Sequence, residues 1–155
     1  MTALGGKLWV AAVLAGALAA LAACGGGGGA KATYIEAANA VCARSTERVK
    51  ALPSAADAAG IVNRLQQLSA IVRDEADALK RLSPKGKDAT TVEGMLAQLE
   101  LTAANLAAAA TAATQRDQSG AGAALARARA NNTNANRVAR SYGLDRCGGE
   151  LRASP

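Results

Sequence analysis

The sequence predicts an all-α protein, an up-down-up-down antiparallel four-helix bundle, on three observations. Apolar residues recur at helical spacing in four successive stretches of similar length. Turn signals separate those stretches: Pro53, the run Ser83-Pro84-Lys85-Gly86-Lys87, and the group Ser119, Gly120 and Gly122. The core on offer is Leu, Ile, Val and Ala almost without rings. Phe is absent, the single Trp is Trp9 near the N-terminus, and the two tyrosines are Tyr34 and Tyr142. Small aliphatic side chains suit helices that approach closely, and short connections make successive helices antiparallel neighbours.

The chain opens with a short basic start ending at Lys7, then an uncharged apolar run from Leu8 to Ala23. That run is shorter than the ~20 residues of a membrane span and has the proportions of a signal-peptide core. Leu21-Ala22-Ala23-Cys24 closes it, and Gly25–Gly29 follows. This arrangement resembles the lipobox of bacterial lipoproteins, in which a leader is removed before the cysteine. The resemblance implies a leader over residues 1–23, a diacylglyceryl group on the Cys24 sulfur, and membrane lipid as the first partner of the chain. Two acyl chains are what stable anchoring takes. It places the protein at the cell membrane, on the extracytoplasmic face. An ordinary signal peptide cut after Ala22 would instead leave Cys24 a free thiol. Residues 24–32 read as a flexible Gly-rich tether. No Gly-Lys-Ser/Thr follows the glycines, so they do not form a phosphate-binding loop.

The bundle is expected over residues 33–147. Helix 1 begins at Thr33, where Thr33 and Glu36 have capping-box spacing, and carries Ile35, Ala38, Cys42, Val49 and Leu52 up to Pro53. Helix 2 starts near Ser54 and Asp57. Its seam is Ile61, Leu65, Leu68, Val72, Leu79 and Leu82, with Ala76 in the gap. Helix 3 starts near Asp88 or Thr90 and lines up Val92, Leu96, Leu99, Ala103, Leu106, Ala110 and Ala113. Helix 4 runs from about Ala121 to Tyr142 with Ala124, Ala128, Ala135, Val138 and Tyr142 on one stripe. Gly143 stands where a C-terminal capping glycine would, and Leu144 supplies the accompanying apolar contact. Residues 148–155 read as frayed. The closing stretch Tyr142-Gly143-Leu144-Asp145-Arg146-Cys147, together with a helix-borne Cys42, is similar to small helical lipoproteins of high-GC bacteria, a likeness that implies no activity.

The chain has three cysteines. With Cys24 acylated, Cys42 and Cys147 remain as a pair, and an exported chain meets an oxidising compartment where a disulfide persists. The topology allows it. Cys42 lies ~13 Å up helix 1, and Cys147 follows a chain reversal at Gly143 at the same end of the bundle.

Composition argues against several chemistries. Histidine is absent, so there is no Ser-His-Asp or Cys-His device and no histidine ligand for zinc or haem. The chain is expected not to be an enzyme, and to need no cofactor and no metal. Asp74, Glu75 and Asp77 form the densest acidic group; without calcium-loop spacing they read as a solvated helix face beside Arg73 and Lys80. The net charge of +6 includes Lys7 of the leader. Arg129, Arg137 and Arg140 share a face of helix 4, but no aromatic residues interleave them and no nucleic-acid partner is expected. Asn131 and Asn132 fall near the buried stripe of helix 4, either holding register or lining a polar ligand pocket. Two readings of function follow. One is a membrane-tethered, non-catalytic module that contacts an envelope protein or serves envelope structure. The other is a ligand-binding or sensing bundle with a site between helices 3 and 4, lined by Asn132 and Leu106.

Overall fold

The computed structural model describes residues 28–84 and 86–149. They form a bundle of four helices, α1 (Gly28–Lys50), α2 (Ala58–Leu82), α3 (Ala89–Thr114) and α4 (Gln118–Tyr142), with a 3-10 turn at Gly86–Asp88 before α3. There is no strand among the described residues. The expected leader, Cys24 and the first part of the expected tether lie outside them.

The helix starts correct the sequence expectations in three places. α1 begins at Gly28, so residues 28–32 are helix rather than tether. Thr33 does not cap: its hydroxyl donates to the Gly29 carbonyl one turn back, 3.0 Å away. The early turn has a tertiary anchor, since the Lys31 ammonium lies 4.2 Å from the Tyr142 ring centroid, a cation–π contact that repays helical order in a glycine-rich start. At α2 the cap is Asp57, not Ser54; its carboxylate accepts the Gly60 amide at 2.7 Å. At α4 Asp117 does the same for Gly120 at 2.8 Å, so the helix starts at Gln118 and Gly120 lies inside its first turn. A Cβ at Gly120 would fall on the Asp117 carboxylate, so glycine there leaves room for the cap. Replacing Asp57 by Ala should cost about 1 kcal/mol, the usual worth of such a cap, read as a shift in urea midpoint with unchanged slope.

α1 ends where Pro53 forbids continuation and biases Leu52 away from helical backbone. α4 ends as expected. Gly143 is left-handed at φ 99°, and the Leu144 amide reaches back to the Ala139 carbonyl at 2.9 Å. Leu144 is fully buried.

The centre of the bundle is α3. It packs on α2 through one stripe and on α4 through another, so its buried set is wider than a single seam and includes Met95, Thr102 and Ala109 besides Val92, Leu96, Leu99, Ala103, Leu106 and Ala110. The α3–α4 seam is alanine on both sides: Ala109 and Ala110 against a helix that buries Ala124, Ala128, Ala135 and Ala139. Side chains this small let two backbones close up and leave no space between them. Across α2 and α3 the Ser69 hydroxyl donates to the Ala103 carbonyl at 2.8 Å in the buried interior. The expected seam of α2 holds at Leu65, Leu68, Val72, Ala76 and Leu79, and departs from expectation at its start. Ile61 is 49% exposed, and Ile71 and Ser69 are buried instead. Val138 and Ala113 are only half buried.

α1 is the outlying helix. It packs on α2, and no Cα pair within 8 Å joins it to α3 or α4 among the described residues. Two devices tie it to the end of the chain. Tyr34 meets Tyr142 edge-to-face, ring centroids 5.9 Å apart at 84°. The coil after Gly143 then folds back into the gap between α1 and α4. There Cys147 is joined to Cys42 as a disulfide, Cα atoms 4.9 Å apart, and the Arg146 amide donates to the Asn39 side-chain carbonyl at 2.9 Å. The bundle is closed by a coil rather than by a fourth helix–helix seam.

Candidate functional site

Because the coil fills only part of the gap, the rest of it is a cleft with a volume of about 700 Å³. It lies along the C-terminal half of α1, away from the tyrosines. Its floor is apolar: Val49 from α1, Ile71 and Val72 from α2, Leu99 from α3, and the Cys42 end of the disulfide. Ser45 and Thr46 line the α1 wall, and Asn132 and Asn136 line the α4 wall. Three cationic side chains, Lys50, Arg64 and Arg146, border it from α1, α2 and the coil, together with one carboxyl, Glu75.

Each polar group has a structural reason for its place. Arg64 is held by the connection between α1 and α2: one guanidinium nitrogen donates to the carbonyls of Pro53 at 2.8 Å and Leu52 at 3.2 Å. These two carbonyls lie past the end of α1, where helical hydrogen bonding has stopped. Asn132 and Asn136 stand four residues apart on the inner face of α4 and are buried. Both side-chain amides donate to the Gly149 carbonyl, at 3.1 and 3.3 Å. They hold the coil against α4, so Gly148 and Gly149 are anchored, contrary to the expectation of fraying from residue 148. Residues 150–155 lie outside the described residues.

Glu75 departs from the solvated acidic face expected of Asp74, Glu75 and Asp77. Asp74 and Asp77 are exposed, and Asp74 pairs with Arg48 at 2.8 Å. Glu75 instead turns into the cleft wall. Burial pushes its carboxyl up to about 7, with a weaker downward pull from the Ser45 hydroxyl. At the other end of the molecule burial, then the neighbouring Tyr142, pushes the Tyr34 phenol up to about 12; its buried hydroxyl has no hydrogen-bond partner among the described residues. Tyr142 is also raised, first by burial and then by the Asp88 carboxylate, to which its hydroxyl donates at 3.3 Å.

The sequence-predicted residues divide accordingly. Cys42 and Cys147 come together. Asn132 lines the cleft, while Asn131 is half buried beside it and outside the lining. Of the two residues expected to line a site between helices 3 and 4, Asn132 borders the cleft, where α3 contributes Leu99, and Leu106 is a core residue at 2% exposure. Cys24 lies outside the described residues. Arg129, Arg137 and Arg140 are exposed. Sequence reasoning missed Asn136, Arg64, Arg146 and the inward turn of Glu75. For Asn136 the four-residue spacing from Asn132 was the available signal. Glu75 stands four residues after Ile71, the residue absent from the predicted seam.

Among the described residues no group of His, Cys, Asp and Glu is arranged to hold a metal ion, and no helix is long and apolar enough to cross a membrane. No family model, curated protein or solved structure matches the chain.

Proposed function

We propose that this protein is a lipid-anchored, non-catalytic binding module of the bacterial cell envelope, held at the extracytoplasmic face of the membrane by an acylated Cys24 and taking a small ligand into the cleft between α1 and α4. The observation that carries the reading is the cleft itself. A volume of about 700 Å³ is within the range of sites for small molecules. Its buried polar residues stand over an apolar floor, and its volume is about twice the 360 Å³ of the hollow between the end of α2 and the start of α3. Chemistry on a bound molecule finds little to work with: the lining offers no histidine and one carboxyl, Glu75, whose hydroxyl neighbour is Ser45.

The anchor rests on the likeness of Leu21-Ala22-Ala23-Cys24 to a lipobox. Within the described residues α1 runs from Gly28. Val49 lies ~30 Å further along α1 at 1.5 Å per residue, so a short tether leaves the cleft remote from the lipid. In detergent-phase partitioning the protein from its host should follow the detergent and carry added acyl mass. The variant Cys24→Ser should carry none. A wild-type protein that stays in the aqueous phase without acyl mass removes the anchor.

Docking of an envelope protein is the other reading. Ile61 and Leu101, 49% and 48% exposed, are the exposed large apolar side chains among the described residues. They stand on different helices, and single exposed apolar residues are ordinary on any surface. The cleft is the stronger feature.

A further inference from the structure

We propose that the cleft selects small organic anions with an apolar body, such as a medium-chain carboxylate, with the head group held by Arg64, the charge of Arg146 adding to the field of the cleft, and the chain lying on Val49, Ile71, Val72 and Leu99. The proposal deepens the binding-module reading and rests on it.

Three features of the lining support it. The first is charge. Lys50, Arg64 and Arg146 border the cleft together with a single carboxyl, Glu75, so its charge favours anions. Lys50 is engaged by Glu47 at 2.8 Å on the exposed side of α1. Among the described residues neither Arg64 nor Arg146 makes a salt bridge. The second is preorganisation. Arg64 spends one nitrogen on the carbonyls of Leu52 and Pro53. The rest of its planar fork remains for a ligand, in an orientation already fixed, which is what two-point recognition of a carboxylate requires. The Arg146 backbone is pinned by Asn39 and by the disulfide at the next residue. The third is the floor. Four aliphatic side chains and a disulfide offer an apolar body a surface to cover, which a sugar or a free phosphate lacks the apolar area to use. The site lies far along α1 from the tethered end, so the ligand reaches it from the aqueous side.

Glu75 makes the selection pH-dependent. The charged groups that share the cleft with it are Lys50 from α1, Arg64 from α2 and Arg146 from the coil; α3 and α4 contribute Leu99, Asn132 and Asn136, which are uncharged. Below about pH 7 its carboxyl is neutral, and the one negative charge opposing an anion is gone.

The test is calorimetric titration of the oxidised chain from residue 24 onward carrying Cys24→Ser, which keeps every described residue and needs no detergent. The probes are dodecanoate, dodecanol and dodecyltrimethylammonium, each below its micellar range. Dodecanoate should bind at one site, with the alcohol weaker and the cation weakest. Arg64→Ala should weaken dodecanoate about ten- to a hundredfold, the loss of one charged hydrogen-bonding partner. Because Arg64 also braces the connection after α1, Arg146→Glu serves as the second variant, and it should weaken the anion without changing helicity. Dodecanoate affinity should rise severalfold from pH 8 to pH 6, and Glu75→Gln should hold it at the higher value throughout. Equal binding of all three probes would overturn the anion selectivity while leaving the binding module standing. No binding of any probe would overturn both. Binding that emerges only after deletion of Leu151–Pro155 would assign the cleft to the end of the chain itself and also overturn the proposal.

Discussion

Cys147→Ser should destabilise the protein by about 4–5 kcal/mol, and the loss should be concentrated in α1. The bridge spans 105 residues, and the chain-entropy relation gives about 4.7 kcal/mol for a loop of that length. Few other contacts replace it. Among the helices α1 packs mainly on α2, and its other ties, to the last turn of α4 and the coil beyond, are the Tyr34–Tyr142 pair, Lys31 over the Tyr142 ring and the Asn39–Arg146 hydrogen bond. The α3–α4 seam and the α2–α3 seam involve none of these. Urea unfolding of the variant should therefore begin at a midpoint lower by roughly 2 M, given slopes of ~1–3 kcal/mol per molar. Hydrogen exchange should show α1 amides opening before those of α3 and α4. Uniform acceleration across all four helices would mean that the staple braces the whole bundle rather than its outlying helix.

The second large effect is a stability that falls as pH rises, removed by Glu75→Gln. In the folded chain the Glu75 carboxyl lies near 7, above the 4.5 of an unburied one. The folded state therefore binds more protons than the unfolded state between those values, and stability decreases across that interval. Below pH 4.5 both states are protonated and the variant should match the parent. At pH 8 the parent carries a charge in the cleft wall that water solvates only in part, and glutamine avoids it. One pKa unit corresponds to ~1.4 kcal/mol, and partial access to solvent reduces the full displacement to about 2–3 kcal/mol. Denaturation at pH 4, 6 and 8 reads this directly. A variant less stable than the parent at pH 8 would mean that Glu75 has a cationic partner and that its charge is useful to the fold.

The four helices were legible because each depends on local signals, and the cysteine pair because the order of the helices brings its two ends together. Spacing defines a stripe, Pro53 and Gly143 end helices for steric reasons, and the topology brings Cys42 to the level of Cys147. The cleft was less legible. Periodicity says which residues share a face, not which neighbour covers it. Helix 1 has an apolar stripe whether a helix or a coil packs on it, and that choice decides whether a gap remains. Glu75 illustrates the same limit. Its position beside Asp74 and Asp77 suggests solvent, but its place one turn from Ile71 makes it part of the inner face. The starts of α1 and α4 were misplaced for a smaller reason. Glycine is a poor helix former, yet Gly28, Gly29 and Gly120 lie in first turns, where the cap and tertiary anchors outweigh propensity.

The paired rings at one end of the molecule have a practical corollary. The chain contains two tyrosines, no Phe, and a single Trp at position 9, so within the folded bundle every ultraviolet chromophore of any strength belongs to one contact between α1 and α4. Intrinsic emission, and near-ultraviolet dichroism apart from the share of the disulfide, will thus report that junction and remain blind to the alanine interior. A protein that loses its aromatic signal while its helical ellipticity persists will have undocked one helix, and its optical melting curve should not be taken for that of the whole.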